Sequence, residues 1–196
     1  MLRSIAAVIA ALALLTGLLT ACAGNGSAAP EPSLAALLQK AMPYDMVYFT
    51  YDDFAADGNF EAFAVCAQTS YTDNEGRLVN YDTCQLWYAD KSGARMLEDD
   101  LYGYAGNSGS TVTAGADKFI VWELSAGGSG SQSIIYGVRD GEPYQPLISR
   151  KYEWFCCADG KFQAQTNDLR PDYHAYVTHY FDYDASTGEF AETGTS

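Results

Sequence analysis

Glu153-Trp154-Phe155-Cys156-Cys157-Ala158-Asp159-Gly160-Lys161-Phe162-Gln163-Ala164-Gln165 is two strand-length runs rich in apolar residues, joined by Asp-Gly. That pair suits a two-residue hairpin turn. A type I′ turn needs positive φ at both central residues, which Gly adopts freely and Asp tolerates. Asp140-Gly141 repeats the signature between residues 133–138 and 143–148. Asp90-Lys91-Ser92-Gly93 parts residues 84–89 from 94–97, and residues 184–188 part 174–183 from 189–191. Residues 46–51 and 60–67 flank an Asp/Gly-rich turn, and residues 119–124 run through a Gly-rich loop, 125–131, into the next strand. Hairpins at such short spacing predict an all-β, antiparallel domain. No clean fixed-period repeat is present.

One helix is predicted ahead of the strands, over residues 33–42. Ser33 caps it, Leu34, Leu37, Leu38 and Ala41 form an apolar stripe at helical spacing, and Pro43 stops it.

The N-terminus reads as an address. A short basic start, Met1-Leu2-Arg3, precedes a nearly unbroken apolar run from Ile5 to Leu19. That run is short for a bilayer span and has the length of a secretory h-region. It ends in Leu19-Thr20-Ala21-Cys22, which resembles the lipobox of bacterial lipoproteins. The resemblance implies a signal peptide over 1–21, cleavage before Cys22, and a diacylglycerol on the Cys22 thiol. Residues 22–32 hold no large apolar side chain and are expected to form a flexible tether. The domain is then residues 33–196, displayed on the outer face of the cytoplasmic membrane and held there by lipid.

Composition narrows the function. The chain of 196 residues carries a formal charge of −14. A surface that acidic repels phosphate backbones, so nucleic acid is not an expected partner. The 15 Tyr and 9 Phe suit strands better than helices. Besides Cys22 there are four cysteines. Cys66 and Cys84 are the candidates for one disulfide, with buried free thiols as the alternative. Cys156 and Cys157, adjacent in one strand, point to opposite faces.

The most informative stretch is Asp53-Phe54-Ala55-Ala56-Asp57-Gly58-Asn59-Phe60-Glu61-Ala62-Phe63. It resembles the D-x-D-G-D-G-x-x-E-A-F turn of FG-GAP/VCBS-type β-propeller repeats. Residues 128–141, and Tyr180-Phe181-Asp182-Tyr183-Asp184 with Thr187-Gly188-Glu189-Phe190, add to a likeness with secreted Gram-positive lipoproteins that carry degenerate repeats of this type. The resemblance implies a propeller-like domain at the cell surface and a calcium-holding turn. About 150 residues is short for a closed propeller, so a small or incomplete propeller or a curved sandwich is expected. Calcium takes six to eight hard oxygens. Asp53, Asp57 and Glu61 offer carboxylates and Asn59 a carbonyl, while Ala55 stands where another acidic ligand would be. The plainer reading is a turn whose Asp side chains bond its own backbone.

Other candidates weaken. The only histidines, His174 and His179, have odd spacing and so lie on opposite faces of one strand; His179 shares parity with Val177 and Phe181, as a partly buried, hydrogen-bonded residue would. No G-x-S-x-G or H-E-x-x-H motif is present. The loop 125–131 lacks the ending and the helix of a P-loop. Trp87, Trp122 and Trp154 lie in apolar runs that suit core packing better than a sugar platform. The chain is therefore read as a membrane-anchored extracellular binding or structural module, its ligand a glycan or protein at the envelope. The alternative is an extracellular hydrolase acting on glycans or peptides.

Overall fold

In the computed structural model, residues 31–72, 78–104, 109–125, 131–170 and 173–196 are described. One helix, α1 (Glu31–Ala41), precedes twelve strands. These are β1 (Asp45–Asp52), β2 (Glu61–Thr72), β3 (Leu78–Asp90), β4 (Gly93–Tyr104), β5 (Gly109–Ala114), β6 (Asp117–Ser125), β7 (Ser131–Arg139), β8 (Glu142–Tyr144), β9 (Glu153–Ala158), β10 (Lys161–Arg170), β11 (Tyr173–Asp184) and β12 (Glu189–Thr195). They form three four-stranded sheets, each an up-and-down meander of consecutive strands, and every pairing is antiparallel. The expected all-β antiparallel architecture is what the chain adopts. Three blade-like sheets that do not close into a barrel suit an incomplete propeller or a sandwich.

Strand chemistry explains the stacking. Along β2, Phe63 and Val65 face one core while Ala62, Ala64 and Cys66 face another. Along β6, Ile120 and Trp122 face the first sheet, and Phe119 and Val121 face the third. Side chains alternate along a strand, so a sheet covered on both faces reads as a continuous apolar run. One core lies between the first and second sheets, built on Phe63, Leu86, Tyr88, Ile120, Trp122 and Ile134. A second lies between the second and third sheets, around Phe119, Ile135, Phe155, Phe181 and Phe190. Leu34, Leu38 and Met42 of α1 and its exit cover the outer face of the first sheet.

Both Asp-Gly pairs sit in the predicted turns. Ala158 pairs with Lys161 across Asp159 (φ 52) and Gly160 (φ 73), and Arg139 pairs with Glu142 across Asp140 (φ 53) and Gly141 (φ 74). Two expectations need correction, and one strand escaped the sequence reading. The helix begins at Glu31, not Ser33, because Pro32 fits the first helical turn, where no N–H is required. Residues 143–148 do not make a full strand: β8 ends at Tyr144, Pro146 has no N–H for a ladder, and Ile148 turns into the second core instead. β5, whose apolar residues are only Val112 and Ala114, had no alternation strong enough to reveal it.

Candidate functional site

The turn of residues 53–61 links β1 to β2. Asp53 Oδ1 accepts the N–H of Asp57 and Oδ2 that of Gly58, both at 2.9 Å. Asp57 Oδ1 accepts the backbone N–H of Asn59 at 2.8 Å and its side-chain amide at 3.0 Å. Glu61 Oε2 accepts the N–H of Phe54 at 3.0 Å. Positive φ at Ala56 (53) and Gly58 (84) makes the bend. Each of the three carboxylates thus serves the turn's own backbone, which is the plainer of the two sequence readings. Among the described residues, no three His, Cys, Asp or Glu side chains come together to hold a metal. As arranged, Asp53, Asp57, Asn59 and Glu61 do not fit a calcium ion.

Glu61 is only 2% exposed. Burial pushes its carboxyl up to about 7; the Phe54 N–H works against this, and the charges of Asp57, Asp53 and Asp90 add to it. The turn and the β3–β4 hairpin enclose a cleft of 110 Å³, walled by Asp57, Phe60, Glu61, Tyr88, Asp90 and Lys91 among others. Lys91 Nζ donates to Asn59 Oδ1 at 3.3 Å across its mouth. The next turns continue this end of the stack. Asp57, Asp117, Arg139, Asp140 and Tyr144 line a second cleft of 270 Å³.

A second polar cluster sits between the second and third sheets. Ser133 Oγ donates to Glu123 Oε2 at 2.6 Å and accepts the N–H of Phe155 at 2.9 Å. Glu123 Oε1 accepts the N–H of Trp154 at 3.2 Å. Burial raises the Glu123 carboxyl, opposed by these hydrogen bonds. Trp154 adopts φ 56, a conformation that bulky residues avoid, within the register break between β9 and β10. Its side chain belongs to none of the three cores and is 51% exposed. Tyr176 on β11 is 50% exposed. Trp122, in contrast, is buried in the first core, as its apolar run predicts, and Trp87 packs against the helix side of the first sheet.

His179 has the expected parity with Val177 and Phe181. Its Nε2 lies 2.8 Å from Thr166 Oγ1 and its Nδ1 2.9 Å from Glu192 Oε1, and Tyr152 donates to Glu192 Oε2 at 3.0 Å. The order hydroxyl–imidazole–carboxylate is that of a nucleophile relay. Neither Thr166 nor His179 lines either of the clefts above. Sequence reasoning did not find this trio, because three strands supply it and no local motif announces it.

The candidate disulfide is absent: Cys66 and Cys84 are buried free thiols. The β2–β3 register sets Cys66 opposite Gln85 and Ala67 opposite Cys84, so the two thiols face opposite sides of the sheet. Burial raises both, Cys84 to about 11. Cys22, the signal segment 1–21 and most of the 22–32 tether lie outside the described residues, as do parts of the 125–131 loop. No described helix is long and apolar enough to cross a membrane.

No protein-family model and no solved structure matches the chain. A nodulation receptor kinase of Pisum sativum is 40% identical over 53 residues, which is 27% of this chain and 6% of that protein. A match that short shows no family.

Proposed function

We propose that the chain is a lipid-anchored extracellular module that binds a glycan of the cell envelope without catalysis, using Trp154 as its principal contact. Trp154 carries the reading. A bulky residue at positive φ costs about 1–3 kcal/mol unless something offsets it. Burial does not, since Trp154 is half exposed and no core includes it. An exposed indole face is a good partner for the apolar face of a sugar ring, and amides and hydroxyls nearby on the third sheet, such as Gln163, Gln165 and Thr178, suit sugar hydroxyls. The lipobox ending at Cys22 supplies the anchor in this account.

The test is a screen of the chain against bacterial cell-wall polysaccharides and an oligosaccharide array. The account predicts saturable binding that Trp154→Ala abolishes. Binding that survives this change would move the site elsewhere. The hydrolase alternative rests on Thr166, His179 and Glu192. It requires substrate turnover that Thr166→Val abolishes, and the module reading predicts none.

A further inference from the structure

We infer that Glu123 and Ser133 of the second sheet are positioning residues, which hold Trp154 in its exposed conformation for the glycan without touching the glycan themselves. This rests on the glycan reading for the ligand, whereas the hold on Trp154 stands on geometry alone. β9 carries a bulge. Gln163 pairs with Cys156 and Gln165 with Glu153, so Trp154 and Phe155 together stand opposite Ala164. Where the first residue of a bulge lies in the left-handed region it is ordinarily Gly. Here it is Trp154, at φ 56. The N–H groups of both bulge residues are taken by side chains of the second sheet, that of Trp154 by Glu123 Oε1 at 3.2 Å and that of Phe155 by Ser133 Oγ at 2.9 Å. Ser133 Oγ in turn donates to Glu123 Oε2 at 2.6 Å, which makes one clasp of the two residues. The Ser133 main chain grips the approach to the bulge. Its carbonyl accepts the Arg150 N–H and its N–H donates to the Tyr152 carbonyl, both at 2.8 Å.

Burial separates this role from ligand contact. Glu123 is 6% exposed and Ser133 1%, so neither is offered to a ligand at the surface. Burying a carboxylate costs free energy unless its oxygens are hydrogen-bonded, and both oxygens of Glu123 are. Along β6 it shares a face with Phe119 and Val121, which pack in the second core, so an apolar residue would continue that row. What an apolar residue lacks is an acceptor. Without one, the Trp154 N–H is left unpaired beside the core, and the bulge loses the bond at its strained residue. Losing the bulge slips β9 by one residue on one side of the break and exchanges the faces of its side chains there. Trp154 then leaves the place from which it meets the sugar.

Amide hydrogen exchange and the indole Nε1 resonance of Trp154, both read by NMR on the full chain, test the hold. Titration with bacterial cell-wall polysaccharide tests its use. In the parent the Trp154 amide should be protected from exchange although the residue is half exposed. Glu123→Leu removes the acceptor. It should speed that exchange by about tenfold or more, move the indole resonance, and weaken polysaccharide binding by about tenfold or more. Glu123→Gln keeps a carbonyl for the Trp154 N–H and an amide for Ser133 Oγ, and should bring all three back to the parent's values. Gly188→Ala, which crowds Arg139 and Tyr144 in the β11–β12 turn, should lower stability and leave binding alone. Should Glu123→Leu fail to fold, Ser133→Ala, which removes the Phe155 acceptor and the hydroxyl that bonds Glu123, should show the same losses in milder form. If the parent binds no polysaccharide, the glycan reading fails, and the exchange and the indole resonance still decide whether the clasp holds Trp154. The inference is overturned if the Trp154 amide of the parent is unprotected, or if Glu123→Leu exchanges and binds as the parent does. It is also overturned if Glu123→Gln restores nothing, or if Gly188→Ala weakens binding as much as Glu123→Leu.

Discussion

Glu61 reaches back seven residues to accept the N–H of Phe54 at 3.0 Å, and so joins the last residue of the 53–61 turn to its entry. Its carboxyl is buried beside Asp53, Asp57 and Asp90 and titrates near 7, against an ordinary value of 4.5. The folded chain therefore holds this proton more tightly than the unfolded chain. Its contribution to stability is complete below pH 4.5 and is lost as the pH rises through about 7. The loss amounts to about 3 kcal/mol at most. Denaturant melts across that range should show the fall. Glu61→Gln keeps an acceptor for Phe54 and should flatten it, and an unaltered slope in that variant would refute the assignment.

Asp53 closes the turn by holding two backbone N–H groups at once. Asp53→Ala should lower stability by about 1–2 kcal/mol, and Asp53→Asn by less, measured by urea unfolding. Because these oxygens are committed to the backbone, millimolar calcium should leave the melting temperature where a chelator leaves it. A saturable rise with calcium, lost in Asp57→Ala, would show that the turn reopens around the ion.

His179 is held from both sides by Thr166 and Glu192. Its bond to Glu192, together with that from Tyr152, holds the Glu192 carboxyl below the usual range. His179→Ala should cost about 1–3 kcal/mol, since it leaves part-buried polar groups without partners. Glycan binding should be unchanged. A loss of binding with stability intact would give the imidazole a functional role instead.

Gly188 closes the β11–β12 turn against the second sheet. Arg139 Nη2 donates to the carbonyls of Ala185 (2.8 Å) and Ser186 (3.0 Å), and the Tyr144 hydroxyl donates to that of Gly188 at 3.1 Å. At φ 77, a Cβ on residue 188 would stand 2.5 Å from Arg139 Nη1 and 2.6 Å from Tyr144 Oη. Gly188→Ala should destabilise by about 1–3 kcal/mol through strain and crowding. Gly141→Ala, which meets nothing within 4 Å, should show the backbone strain alone.

What the sequence revealed and what it hid divide along a physical line. Asp140-Gly141 and Asp159-Gly160 were legible because a two-residue turn is decided by the conformations of its own residues. The parity of His179 and the self-bonding turn at Asp53 are local for the same reason. The pairing of Glu123 with Ser133 across β6 and β7, the trio that β10, β11 and β12 supply around His179, and the cleft lined by Tyr88 depend on strand register and on which turns meet, and no short motif encodes that. Cys66 and Cys84 show the same limit. Both lie in strands, as read, but a register offset of one residue puts them on opposite faces. Trp154 reads as core by its apolar neighbours, and only the irregular β9–β10 register turns its indole to solvent.

The most direct measurement of the account compares Trp154→Gly with the parent for both stability and affinity toward isolated bacterial cell-wall polysaccharide. Gly tolerates the φ of 56 found at this position, so the variant relieves strain while removing the indole. The account predicts stability within about 1 kcal/mol of the parent, or above it, together with loss of binding. A variant that binds as the parent does, or one that loses binding only because it no longer folds, would contradict the claim that Trp154 is held in its strained, exposed conformation for recognition.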